Sequence, residues 1–190
     1  MKVFFVRLYR IYPYLMIDQQ LKDVIRDVPD FPKPGIVFKD ITPILKNIHL
    51  CDAILDSFIE RLQPDSIDVI AGIESRGFLF GLSLAQRLEK PFVPIRKRGK
   101  LPYRTVAQSY ALEYGEATIE IHEDAFDPGS RVLVHDDLLA TGGTVVATSQ
   151  LIEKLGGTIA GYAFIISLGF LGGKKKLADY SQQIISLIDY

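Results

Sequence analysis

The chain of 190 residues holds one cysteine, Cys51. A single thiol closes no internal disulfide and has no companion for a thiolate metal site, so a reducing cytoplasm is the default setting and Cys51 reads as a packing residue. Excess charge is missing too: 22 Lys and Arg against 23 Asp and Glu leave a formal net charge of −1. That balance lacks the basic face that duplex nucleic acid requires, and no nucleic acid partner is expected. No stretch approaches the roughly 20 uninterrupted apolar residues needed to cross a bilayer, so no membrane partner is expected either. Internal repeats and low-complexity linkers are absent. So are the Gly-x-Gly-x-x-Gly fingerprint and the lysine-bearing P-loop, which removes two common ways of holding a nucleotide.

What is present is a chain 48% hydrophobic, long enough for one domain with a sizeable core. Residues 1–10 begin like a charged, apolar secretion signal, but Arg7, Arg10 and Pro13 interrupt the run and no small-x-small cleavage site follows. Residues 1–15 are therefore expected to be a non-secreted extension, with Met16 as the native start and 16–190 as a single domain.

Apolar spacing at Leu21, Val24, Ile25 and Val28 predicts a helix closed by Pro32 and Pro34. A loop-rich insert follows, then helical periodicity at Ala53, Ile54, Phe58, Ile59 and Leu62, and again over 79–88. Short strands are predicted at 69–73, 92–95, 118–121, 131–136, 159–168 and 184–188. Strands alternating with helices imply an α/β fold with a mostly parallel central sheet covered on both faces and ligands at the carboxyl ends of its strands. The segment 101–114 shows no strong periodicity and is expected to be a mobile loop that acts as a lid. Lys174–Lys176 reads as a solvated helix face and Gly156-Gly157 as a helix stop.

The most informative stretch runs from Val132 to Thr144. Val132, Leu133 and Val134 suit a strand buried on both faces; Asp136 and Asp137 follow; then Ala140, Thr141, Gly142, Gly143 and Thr144 make a small-residue turn before a helix. The first N–H groups of that helix would face the turn, where an anion with several oxygens can accept them. Two acids beside a phosphate would repel it unless hydrogen donors lay between, and the vicinal hydroxyls of a ribose meet that need. A sugar phosphate is the natural ligand class, and a magnesium ion, which favours hard oxygen ligands and keeps several waters, fits nearby. His135 is assigned no role.

This string resembles the sugar-pyrophosphate signature of the type I phosphoribosyltransferases, in the form typical of their adenine-specific members. The resemblance covers nearly the whole chain from about Met16. It implies the type I phosphoribosyltransferase fold, with a small N-terminal hood around 31–43, and the conversion of adenine and 5-phosphoribosyl 1-pyrophosphate (PRPP) to AMP and pyrophosphate. By the same resemblance Ala140–Thr144 hold the 5′-phosphate and Asp136 and Asp137 the ribose, while Glu74, Ser75 and Arg76 form a pyrophosphate loop with a non-proline cis peptide at Glu74–Ser75. Lys100 also goes to the leaving group and Arg96 to a neighbouring subunit's site, which implies a homodimer. Glu113, within Leu112-Glu113-Tyr114-Gly115, aligns with the acid that handles the purine N7 proton. Val37, Phe38 and Lys39 align with the base-binding hood, Phe38 stacking on the purine. Glu113 and Arg76 are the expected catalytic residues. Mg2+ is the expected cofactor, bound mainly through PRPP and water rather than by direct protein ligands. Ser167 departs from the glutamate usual in relatives. A transferase for 6-oxopurines and a non-enzymatic PRPP-sensing regulator remain as alternatives.

Overall fold

The computed structural model describes residues 17–111 and 115–190. The extension 1–15, Met16 and Glu113 lie outside the described residues. The chain divides into two compact units, one reaching Glu60 and the other running from Arg61 to Tyr190.

In the first unit, helix α1 occupies 17–24, with Ile17 and Leu21 on its buried side. Val28 does not continue it, contrary to the helical spacing. The chain instead turns into β1 (Arg26–Pro29), which pairs antiparallel with β2 (Val37–Asp40), and Val28 stands opposite Phe38. Charge complementarity across the ribbon explains the preference: Lys39 Nζ lies 2.7 Å from Asp27 Oδ1, and Arg26 faces Asp40 at 3.6 Å. The connecting loop is held by Asp30, whose carboxylate accepts the Gly35 N–H at 2.7 Å, and Phe31 meets Phe38 edge-on at 5.2 Å. Within 31–43 only Val37–Asp40 is strand, one side of the ribbon; the rest is turn and loop, as the loop-rich reading expects. Helix α2 (Ile48–Arg61) begins before the predicted periodicity.

The second unit is built on a seven-stranded sheet. Its strands are β3 (Val69–Ile73), β4 (Phe92–Lys97), β5 (Thr105–Ala111), β6 (Glu116–His122), β7 (Arg131–Leu139), β8 (Thr158–Ser167) and β9 (Ile184–Asp189), in the order β5-β6-β4-β3-β7-β8-β9. The five from β4 to β9 pair in parallel, while β6 and β5 add an antiparallel edge. Every residue of β3 is buried, as a central strand covered twice requires.

Alternation assigns the two faces. Val69, Ala71, Val132 and Val134 belong to a core with Val145, Leu151 and Ile152 of α4 (Gly143–Lys154). Gly72 and His135 point the other way, toward Gly81 of α3 (Gly77–Leu88). A short α5 (Gly173–Leu177) follows β8; Lys175 and Lys176 are exposed, while Lys174 reaches Asp189 at 2.6 Å.

The expectation of a mobile loop over 101–114 is corrected: 105–111 is strand β5, paired residue for residue with β6. Val106 and Tyr110 pack against the core while Ala107, Ser109 and Ala111 are exposed, a period of two whose apolar members were too few to stand out. Among the described residues no helix is long and apolar enough to cross a membrane.

Candidate active site

Register sets three strands level. Gly72 of β3 pairs with Pro94 of β4 on one side and His135 of β7 on the other, so Glu74, Arg96 and Asp137, each two residues further on, stand level toward the carboxyl edge of the sheet. That edge is where open α/β sheets bind ligands. Glu74, Ser75, Arg76, Lys97, Asp136, Asp137 and Leu138 line a cleft of about 270 Å³ there.

The approach of α3 to β7 depends on one missing atom. A Cβ on Gly77 would stand 2.8 Å from the His135 carbonyl oxygen, closer than packed atoms tolerate, so only glycine lets the helix start against the strand end. This carries Arg76 to Asp137, with Nε 3.1 Å from Oδ2. The Glu74–Ser75 peptide is cis, as the resemblance implied.

Asp137 is 2% exposed, and its own N–H donates to Asp136 Oδ1 at 2.9 Å. Burial pushes both carboxyls up. For Asp136 the shift is large, with the neighbouring Asp137 charge adding to burial; for Asp137 the Arg76 guanidinium pulls back. Asp136 is therefore the member that holds a proton more readily, and Asp137 the one that stays charged against Arg76. Burial also works against the Glu74 charge, but the Lys97 N–H at 3.0 Å and Arg96 Nε at 3.1 Å hold its carboxyl below the usual range.

The turn after β7 has the form its residues predict. Gly142 takes φ +79, a left-handed conformation that glycine adopts without strain. The first helical bond of α4 runs from the Val146 N–H to the Gly142 carbonyl at 2.9 Å, so the N–H groups of Gly143, Thr144 and Val145 precede the ladder and suit an anion. Thr144 Oγ1 donates to Tyr110 Oη at 3.0 Å. Behind the turn, a Cβ on Gly173 would overlap the Ala140 carbonyl.

The structure thus gathers Glu74, Ser75, Arg76, Asp136 and Asp137 around one cleft. Ala140–Thr144 continue from it along the chain, whereas Arg96 and Lys100 do not line it: Arg96 turns to Glu74 and donates to the Lys100 carbonyl at 2.9 Å, and Lys100 is exposed. Val37, Phe38 and Lys39 lie in the first unit. Sequence reasoning missed Lys97 in the cleft wall and the buried Glu120; an acid between Ile119 and Ile121 in a short strand was the available signal.

The phosphoribosyl transferase domain model matches residues 39–185. The chain belongs to the phosphoribosyltransferase family. Among similar phosphoribosyltransferases, the adenine phosphoribosyltransferase of Cytophaga hutchinsonii is 57% identical over 92% of this chain and 97% of its own length. A crystal structure of adenine phosphoribosyltransferase from Thermoanaerobacter pseudethanolicus superposes with a TM-score of 0.87 at 49% identity, over 90% of this chain and 99% of that one. The Saccharomyces cerevisiae adenine phosphoribosyltransferase, solved with an imino-altritol bisphosphate and adenine, gives a TM-score of 0.85 at 40% identity, over 91% of this chain and 99% of that one.

In this phosphoribosyltransferase the cleft's carboxylates are hard oxygen donors of the type magnesium takes. Among the described residues no three Asp, Glu, His or Cys side chains stand together as a metal cage.

Proposed function

We propose that this chain transfers the 5-phosphoribosyl group of PRPP to adenine, forming AMP and releasing pyrophosphate. The observation that carries the reading is the placing of Arg76, from the loop after β3, against Asp137, which with Asp136 lies near the end of β7, the strand that leads into the turn at Ala140–Thr144. Two acids can accept from ribose hydroxyls, a guanidinium can meet a diphosphate, and a helix N-terminus can hold a phosphate.

In the reaction the bond from the ribose C1 to the pyrophosphate oxygen breaks and a bond from C1 to adenine N9 forms. The N–H groups and hydroxyls of 141–144 anchor the 5′-phosphate, and Asp136 and Asp137 fix the pentose so that C1 faces the base. Arg76, with Glu74 and Ser75 in its loop and Lys100 beyond, stabilises the departing pyrophosphate. Magnesium, when bound with PRPP, neutralises part of the diphosphate charge. Glu113 handles the adenine N7 proton, and Val37, Phe38 and Lys39 recognise the base. Arg96 serves a neighbouring copy's site in a two-fold dimer, which requires it to leave Glu74. A cytoplasmic location suits the single thiol.

The test is to mix the purified protein with magnesium, PRPP and each purine base in turn. AMP formation from adenine, with hypoxanthine, guanine and xanthine inert, is the expected result. Turnover of a 6-oxopurine in its place, or absence of any nucleotide product, overturns the reading.

A further inference from the structure

Arg96 and Lys97 at the end of β4, with Arg98 and Lys100 in the loop that follows toward β5, crowd four cations around one glycine. Their mutual repulsion favours an open, disordered loop, yet it is tightly folded. The cause is Glu120, in the middle of β6 and only 5% exposed. Its Oε1 accepts three consecutive backbone N–H groups, from Gly99 at 3.0 Å, Lys100 at 3.1 Å and Leu101 at 3.1 Å, and its Oε2 lies 3.4 Å from the Thr105 hydroxyl. Successive N–H groups converging on one point around a residue of positive φ, here Gly99 at +80, form an anion-binding concavity. In this protein the anion is its own carboxylate. Glu74 grips the start of the same loop through the Lys97 N–H and Arg96 Nε, and Arg96 closes it by donating to the Lys100 carbonyl.

We propose that Glu120 is a positioning residue for the pyrophosphate end of the sugar donor, an assignment that rests on the proposed transfer reaction. With the concavity already filled, the loop offers a diphosphate no main-chain donors at 99–101. It offers ammonium and guanidinium groups on a backbone whose shape is set from beneath. One buried negative charge also offsets the crowding of four positive ones, so the loop does not need the ligand in order to fold.

The assignment separates ligands by whether they carry a diphosphate. Titration calorimetry of the full chain with magnesium pyrophosphate, magnesium PRPP and AMP reads it, alongside steady-state kinetics. In Glu120→Ala the Gly99 and Leu101 N–H groups lose this acceptor and the Lys100 N–H keeps only the Lys97 carbonyl at 3.2 Å; affinity for pyrophosphate and the KM for PRPP worsen about ten-fold, while AMP affinity and the KM for adenine stay within about two-fold. Glu120→Gln keeps an acceptor oxygen without the charge and recovers most of the loss, to within about three-fold of the parent. If Glu120→Ala does not fold, Glu120→Asp, which draws the carboxylate back by one methylene, takes its place and is expected to weaken pyrophosphate about five-fold with AMP within about two-fold. Equal weakening of AMP and pyrophosphate, or unchanged pyrophosphate affinity in Glu120→Ala or in the Glu120→Asp that replaces it, overturns the proposal. A parent protein that binds pyrophosphate but makes no AMP overturns the transfer reaction instead, and leaves the loop's diphosphate preference to be read from the same variants.

Discussion

Arg76 Nε stands 3.1 Å from Asp137 Oδ2, so the guanidinium proposed to meet pyrophosphate already balances a buried carboxylate in the free protein. Removing it has two effects. In Arg76→Ala the Asp137 carboxyl loses the charge that holds it down and rises further, and the leaving group loses a donor. PRPP turnover is expected to fall by about 100-fold or more. Arg76→Lys keeps a charge without the planar fork and restores only part. Initial rates at saturating adenine measure both.

Asp136 carries a stability cost that its proposed role in holding ribose explains. Its carboxyl is raised by burial and by the Asp137 charge, so its favourable contribution is present below the ordinary carboxylate value and is lost as pH rises through the folded one. At neutral pH Asp136→Asn removes that cost. Thermal melts should place the variant a few degrees above the parent near pH 7.5, the gap closing toward pH 4, while kcat/KM for PRPP drops by about ten-fold or more.

His135 gives the opposite slope. Burial pushes its pKa down to about 4 from 6.5, with the Ala163 backbone opposing; the folded protein keeps the ring neutral where the unfolded chain would protonate it. Stability therefore falls as pH drops from 6.5 to 4, by about 3 kcal/mol across the window. Urea denaturation at stepped pH should show this slope flattened in His135→Val.

Glu113→Gln should lower kcat by about 100-fold or more with the KM for PRPP little changed, since the role proposed for Glu113 concerns a base proton rather than the sugar donor. Single-turnover kinetics separates this from slow product release.

The parallel strands were legible because buried runs such as Val69–Ile73 and Val132–Val134 admit few alternatives. Asp136 and Asp137 followed by Ala140–Thr144 were legible as a strand end leading into a tight turn and a helix, which the structure shows. Strand β5 was not, because its core side rests on only Val106 and Tyr110. Ribbon pairing hid Val28, whose spacing fits a helix until Lys39 and Asp27 find one another. For Glu120 the flanking Ile119 and Ile121 could flag a buried acid, but not what it holds: its closest partners are backbone N–H groups, which every sequence possesses and none advertises.

Helix α5 supplies a backstop. Room for no more than hydrogen at Gly173 means that the carbonyl of Ala140 is braced by a segment far downstream in the chain. A single methyl group added there would push the turn at Ala140–Thr144 out of shape, so a short helix outside the cleft sets the geometry of the proposed phosphate cradle.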